Sequence, residues 1–183
     1  TVEGFFKTTS NINRYFMSDS ISVLFHSVGE SKSYGIDFLL KNKIGSHELL
    51  LAYSLGKVEE RFEQNSNNEF TEAPQDQRHE IKLALLIRFK KLKISLNQVY
   101  GSGFNNSLEG FYFKGREPYS RFDLGLEYHL VSRKIDMDLG ISVLNLFNAQ
   151  NVRLNQFSSF PDGSIAYASG VTFTPSLSLV VCF

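Results

Sequence analysis

Two carboxylates, Asp136 and Asp138, stand two positions apart and are the first candidates for chemistry. In an extended strand this spacing puts both side chains on one face, where paired carboxylates can act as acid and base. No nucleophile or second base adjoins them in the sequence. The histidines also have no second histidine and no cysteine two or four positions away, a spacing that would favour a metal site. They are His26, His47, His79 and His129. We therefore expect a protein that is not an enzyme, with no catalytic residue, no metal site and no cofactor.

These carboxylates belong to a longer pattern in which polar and apolar residues alternate. In Phe122–Leu130 the apolar residues occupy one parity and the polar residues the other, and the pattern resumes in Ile135–Val143 after the break Ser132–Lys134. Period two is the period of a β-strand, and two such runs around a tight polar connection predict a β-hairpin. The charges on the polar parity of this and the other runs are Asp37, Glu80, Lys82, Arg88, Asp123, Glu127, Asp136 and Asp138.

The same alternation divides the chain into eight predicted antiparallel strands. Long connectors are expected after the first, third, fifth and seventh strands, and tight turns after the second, fourth and sixth. In a meander this order gathers the long connectors at one end, as in outer-membrane barrels. The predicted strands are Val2–Thr9, Tyr34–Lys43, His47–Glu59, His79–Lys90, Leu92–Ser102, Phe122–Leu130, Ile135–Val143 and Tyr167–Phe183. The predicted loops are Ser10–Lys32, Glu60–Gln77, Gly103–Pro118 and Asn148–Ala166.

Composition narrows the class of protein. Lys and Arg together number 19 and Asp and Glu together number 19, so no excess of cations is available to neutralise nucleic-acid phosphates. The single cysteine, Cys182, excludes an internal disulfide framework. The sequence contains no run of 18 apolar residues and so predicts no membrane-spanning helix. A transmembrane β-strand would show no such run, because its apolar residues occupy alternate positions.

Several patches resemble the C-terminal part of TonB-dependent outer-membrane receptors of the Bacteroidetes type. The last strand carries Leu177, Leu179 and Val181 and closes on Phe183, which resembles the signal that the barrel assembly machinery recognises. The other patches are Val2–Lys7, Ser33–Asp37, Ala73–His79, Tyr100–Phe104, Tyr119–Tyr128 and Gly140–Asn151.

The resemblance covers residues 1–183 and implies a transmembrane antiparallel up-and-down β-barrel segment, about eight strands of a barrel of about 22. It implies outer-membrane active transport of a scarce nutrient of the siderophore, corrinoid or glycan class. The polar parity then faces the lumen and the apolar parity faces outer-membrane lipid. The plug domain, the segment that contacts TonB and the signal peptide are not in this sequence, so we expect a portion of a longer receptor.

Aromatic and basic residues in the long connectors are candidate substrate contacts at the outer mouth of such a barrel. Aromatic residues nearer the strand ends are expected in the girdle at headgroup level. The candidate substrate contacts are Phe111, Tyr112, Arg116, Arg153 and Phe157.

Two other interpretations of the same alternation remain open. An intact eight-strand outer-membrane barrel with an anchoring, adhesion or passive role requires the first strand to pair with the last. A soluble lipocalin-like binder would place the apolar parity inside. The C-terminal Phe183 and the one-sided long connectors favour the membrane barrel over the soluble one.

Overall fold

The computed structural model of the chain describes residues 1–17, 24–62, 68–104, 118–131, 135–159 and 165–182. These residues form an all-β structure without a helix, as the alternation predicts. No described helix is therefore long and apolar enough to cross a membrane. The strands are β1 (Val2–Met17), β2 (Leu24–Ile44), β3 (His47–Phe62), β4 (Thr71–Glu72), β5 (His79–Arg88), β6 (Leu92–Gly101), β7 (Tyr119–Val131), β8 (Asp136–Leu144), β9 (Val152–Ser159), β10 (Ile165–Ser169) and β11 (Thr174–Cys182).

Nine of these strands form one antiparallel up-and-down sheet. Its hydrogen-bonded order is β1-β2-β3-β5-β6-β7-β8-β11, and the two-residue strand β4 pairs with β3. Strands β9 and β10 form a separate two-stranded sheet. The sequential order confirms the predicted meander. Within the described residues β1 and β11 do not pair with each other, so this sheet is not closed.

The first two strands are much longer than predicted, and the predicted loop Ser10–Lys32 is wrong. Val2–Met17 pairs continuously with Leu24–Phe38, apart from a register shift between Ser10 and Ile12. The residue between them, Asn11, has a φ of 60°, so the extra residue of a bulge interrupts the alternation. Backbone pairing continues through the polar stretch because ladder hydrogen bonds need no apolar side chains.

Two other predicted loops also contain strand. β3 extends to Phe62, and Glu59 and Glu60 pair with Glu72 and Thr71 of β4. The stretch predicted as the Asn148–Ala166 loop contributes β9 and the start of β10, so Tyr167 belongs to β10 and the last strand begins at Thr174. Pro175 needs no bulge, because the β8–β11 ladder runs without a register shift and β11 pairs only with β8 in the described sheet.

The chain divides into two compact units. Unit 1 contains residues 1–38, 53–80 and 101–118, and unit 2 contains residues 39–52, 81–100 and 119–183. Among the described residues only two apolar side chains are buried, and both belong to unit 1. They are Phe62 and Ala73. The described residues of this sheet therefore form no ordinary hydrophobic core.

Candidate functional site on the polar face of the sheet

Cross-strand ion pairs in unit 2 show that the polar parity occupies one face. Arg88 on β5 lies 2.7 Å from Glu48 on β3, and its guanidinium also donates to the Ser46 carbonyl at 3.0 Å. Lys93 on β6 pairs with Glu127 on β7. Two predicted residues, Arg88 and Glu127, are thus paired with partners that the alternation alone does not reveal. The side chains in both pairs remain between about a third and a half exposed, so screening by water keeps each pair weak.

His129 joins the two carboxylates Asp136 and Asp138. Its Nδ1 lies 2.7 Å from Asp138 Oδ1 and 3.5 Å from Asp136 Oδ1. His129 and Asp138 are directly opposite in the β7–β8 ladder, which is why their side chains meet on one face. No group of three or more side chains in the described part of the chain has the arrangement of a metal site. The arrangement here is a cross-strand hydrogen-bonded pair with an acidic neighbour.

The opposite face of β7, β8 and β11 is continuously apolar. The ladders align apolar residues in rungs that cross three strands, because antiparallel pairing keeps residues of one parity together. The central rungs are Leu126–Ile141–Leu177, Tyr128–Leu139–Leu179 and Leu130–Met137–Val181. Most of these side chains are exposed, Leu177 to 73% and Leu179 to 59%, whereas Leu139, Met137 and Val181 are half-exposed.

Small residues leave a shallow groove between the charges of the polar face. The groove has a volume of about 420 Å³, and it is flanked by Arg88, Lys93 and Glu127. A methyl group added to Gly125 would lie 2.3 Å from Ser95 Oγ, and one added to Gly140 would lie 2.3 Å from Ser178 Oγ. The backbones and hydroxyls therefore approach as closely as glycine permits.

Asn145 at the end of β8 is fully buried, and its hydrogen bonds connect three segments of unit 2. Its side-chain amide donates to the carbonyls of Ala149 at 2.9 Å and Val171 at 2.8 Å, and its oxygen accepts from the Ala149 amide at 3.0 Å. Its backbone N–H donates to Asp123 Oδ1 at 2.9 Å. Its φ of 50° is one that asparagine tolerates better than most residues.

Asp123, which the sequence predicts as a charge of the polar face, is buried and hydrogen-bonded. Asp123 is 7% exposed, accepts from Asn145, and also accepts from Arg121 Nε at 3.1 Å. Asn151 adds a second tie, because its side chain donates to the Ser120 carbonyl and accepts from the Ser120 amide, each at 2.8 Å. The sequence contains a signal for these hydrogen bonds, because Asn145, Asn148 and Asn151 stand at intervals of three after the alternating run Ile135–Val143.

In unit 1 the buried carboxylate of Asp76 likewise accepts a hydrogen bond from the backbone of another segment. Asp76 is fully buried, and its Oδ1 accepts from the Val58 amide of β3 at 2.6 Å. The Ala73 amide donates to the Val58 carbonyl at 2.9 Å, and the Arg78 guanidinium lies 3.8 Å from Asp76 Oδ2. These contacts fold the segment after β4 back along β3. The polar composition of the segment predicts a loop and gives no sign that Asp76 is buried.

Beyond the apolar run of β3, a second polar cluster in unit 1 carries ionisable groups. Glu59 accepts from Lys57 and from the Tyr34 hydroxyl, which lies 3.2 Å away. The hydrogen bond from Lys57 holds the pKa of Glu59 below its ordinary value. Nearby, Phe70 has Lys32 Nζ 3.8 Å and the Arg61 guanidinium 4.8 Å from its ring centroid. These cation–π contacts hold Phe70, which precedes β4, against Lys32 of β2 and Arg61 of β3.

The remaining predicted site residues have mixed outcomes. Asp37 is exposed and lies directly opposite Glu3 in the β1–β2 ladder, a pairing of like charges that destabilises a sheet. Glu80 is half-buried and Lys82 is exposed on β5. Phe111, Tyr112, Arg116 and Phe183 lie outside the described residues. Arg153 and Phe157 lie on β9, whose backbone pairing with β10 is described and whose side chains are not.

Comparison with known proteins provides no independent identification. No family model matches the chain, no curated protein is similar to it, and no solved structure matches it.

Proposed function

We propose that this chain is part of the wall of a TonB-dependent outer-membrane receptor that transports a scarce nutrient of the siderophore, corrinoid or glycan class. The observation that supports it most is the exposed apolar face of β7, β8 and β11. A soluble sheet buries such a face against another layer. In lipid the same face needs no protein cover, because hydrocarbon chains solvate it.

The dimensions of the apolar face agree with a membrane band. From Phe122 to Leu130 there are eight rises, about 26 Å along the strand at about 3.3 Å each. A strand tilted by about 40° then spans roughly 20 Å of height, close to the apolar band of about 25 Å in outer-membrane barrels. The opposite face carries the ion pairs and the small-residue groove, which suit a wet lumen.

The edges of the sheet favour a large barrel over an intact eight-strand one. An eight-strand barrel needs β1 to pair with β11, and the described residues of the two strands do not pair. Unpaired backbone groups at a sheet edge are costly in lipid. We therefore propose that further strands complete the wall, as they do in barrels of about 22 strands.

Fractionation of the natural protein tests the membrane location. It should sediment with outer membranes, resist extraction by alkaline carbonate, and migrate differently in gels before and after heating. Recovery in the soluble fraction would overturn the proposed location.

Uptake assays then test transport. Deleting the gene should abolish growth on one limiting nutrient of the three classes, and removing TonB or dissipating the proton gradient should have the same effect. Uptake that persists without TonB or the gradient would favour a passive barrel instead.

A further inference from the structure

One face of the β1–β2 ladder in unit 1 changes its chemical character along the strands. Phe6 and Ile36 share a parity in the register of the ladder, and both are exposed. Farther along β2, the same parity carries Tyr34, then Lys32, then Glu30. The face therefore passes from apolar side chains, through an aromatic ring and a cation, to polar side chains.

An open polar cavity of about 390 Å³ lies at the polar end of this face. Ser10 of β1 lines it directly opposite Glu30 of β2, and His26 has the same parity as Glu30. Asn68, which follows β3, also lines the cavity. These four side chains all carry hydrogen-bonding groups. The volume lies within the range of about 300–1,000 Å³ that is usual for ligand pockets.

The charges of the cavity indicate a neutral ligand. Arg61 of β3 lies 2.7 Å from Glu30, and both side chains line the cavity. The pair contributes no net charge, and the other described lining residues are Ser, Asn, His, Val and Gly. Hydroxyl and amide groups both donate and accept hydrogen bonds, as do the hydroxyls of a sugar. An anionic ligand would meet no excess of positive charge among these residues.

An exposed aromatic ring adjoins the cavity. Tyr15 is 65% exposed and lies directly opposite His26, with ring centroids 5.5 Å apart. The His26 ring is held in place by Asn13, whose Oδ1 lies 2.7 Å from Nε2. A tyrosine ring offers an apolar surface to the C–H groups of a sugar and a hydroxyl at its edge. The cavity and Tyr15 together have the features of a saccharide site.

The height of the cavity above the apolar side chains indicates which saccharide it meets. From Tyr34 to Glu30 there are four rises, about 13 Å along the strand at about 3.3 Å each. At a tilt of about 40°, the cavity begins roughly 10 Å above Tyr34, an aromatic residue suited to the headgroup level. The headgroup layer is about 5–8 Å thick on each side of a bilayer. Lys32 falls within this layer, and the cavity lies beyond it, where a glycolipid carries its sugars.

We propose that this face binds an outer-leaflet glycolipid. Lys32 lies at the level of the lipid phosphate, and the cavity and Tyr15 hold a neutral sugar of the saccharide. This inference rests on the proposed outer-membrane barrel. It adds to the transport proposal a binding site on the lipid-facing side of the wall, separate from the lumen.

Binding of a labelled glycolipid to the full natural protein tests the site. The protein, in nanodiscs of phosphatidylglycerol, is titrated with fluorescent lipopolysaccharide from its own bacterium. Tyr15→Ala combined with Ser10→Ala should weaken binding about tenfold, because the sugar loses a stacking surface and a hydrogen bond. Tyr15→Phe combined with Ser10→Thr keeps the ring and a hydroxyl, and this matched control should stay within about twofold. Unchanged binding by the first variant would overturn the proposal.

Two further measurements identify the part of the glycolipid that is bound. Lys32→Gln should weaken the binding of lipopolysaccharide several-fold, because a cation at the phosphate level is lost. The oligosaccharide released from the same lipopolysaccharide by mild acid should bind at least tenfold more weakly than the whole lipid, and Lys32→Gln should leave its affinity unchanged. Equal affinity for the oligosaccharide and the whole lipid would overturn the glycolipid as the occupant. Unchanged lipid binding in Lys32→Gln would refute the phosphate contact.

Gel migration separates failure of this site from failure of the barrel. Each variant is first checked for recovery in outer membranes and for heat-dependent migration. Unchanged glycolipid binding in a Tyr15→Ala, Ser10→Ala protein that passes these checks would contradict the glycolipid site alone. Failure of the unaltered protein in the same checks would contradict the membrane barrel on which the site rests.

Discussion

We call strands β7, β8 and β11 one wall of the sheet and strands β2, β3 and β5 another. The two walls distribute apolar side chains differently over the two faces of the sheet. In the first, every central rung is apolar on one face, and the other face carries small or polar residues such as Gly140, Ser178 and Asp138, with Val180 as an apolar exception. In the second, Leu50 and Leu86 add apolar surface to the face that carries the Glu48–Arg88 pair. Strict alternation thus holds in the central parts of β7 and β8 and breaks in β3 and β5.

In the proposed membrane barrel, this difference is explained by what each face would contact. A strand between lipid and water needs apolar residues on one parity only. A strand between two apolar surroundings needs them on both. Under that proposal, the broken alternation of β3 and β5 concerns the lumen face, and the strict alternation of β7 and β8 concerns the lipid face.

The largest expected effect on the free energy of unfolding concerns the side-chain hydrogen bonds of Asn145 at the end of β8. Asn145→Gly keeps the positive φ accessible but removes three buried side-chain hydrogen bonds. The free energy of unfolding should fall by about 3 kcal/mol, because buried carbonyls and an amide lose their partners. Urea unfolding in lipid measures the change.

Asn148→Gly is the matched control for this prediction. Asn148 also has a φ of 50°, but its side chain is exposed and accepts a hydrogen bond from the Phe173 amide at 3.0 Å. Loss of this exposed bond should cost about 1 kcal/mol or less. Similar losses at the two positions would contradict the central role of Asn145.

An arginine on the apolar face of β7, β8 and β11 tests whether lipid covers that face. Leu177→Arg should lower the free energy of unfolding by about 2–4 kcal/mol if the residue meets the bilayer midplane. Because Leu177 is already 73% exposed, the same change in water should cost less than about 0.5 kcal/mol. Ser176→Arg on the opposite face is the control and should be nearly neutral.

Filling the small-residue groove with a methyl group should lower the free energy of unfolding by less than the changes at Asn145 and Leu177. Gly125→Ala brings its methyl group against Ser95 Oγ, and the serine must rotate away. We expect a loss of about 1 kcal/mol, which Ser95→Gly in the same chain should relieve. A loss that Ser95→Gly fails to relieve would show that the close approach involves the backbone instead of the hydroxyl.

The smallest expected effect belongs to the exposed ion pair of the polar face. A double-mutant cycle with Lys93→Gln and Glu127→Gln should give a coupling free energy of about 0.2–1 kcal/mol that decreases with added salt. Unfolding titrations at low and high salt provide the measurement. A coupling well above this range, and insensitive to salt, would mean that water is excluded from the polar face around the pair.

Most of the sheet could be predicted from the sequence, but several boundaries could not. The hairpin of β7 and β8 and the order of the eight main strands follow from period two. The bulge at Asn11 shifts the alternation and hides the pairing of β1 with β2. The buried roles of Asp76 and Asn145 depend on backbone groups far along the chain, which no local pattern reveals.

The sequence by itself determined which side chains share a face, because the strand period is a local property of the backbone. That period alone assigns Asp136 and Asp138 to one surface. Only the tertiary structure decided which charges meet, since cross-strand register pairs His129 with Asp138 and Arg88 with Glu48. It also left the apolar rungs exposed, because exposure depends on what packs against a face and not on the residues within it.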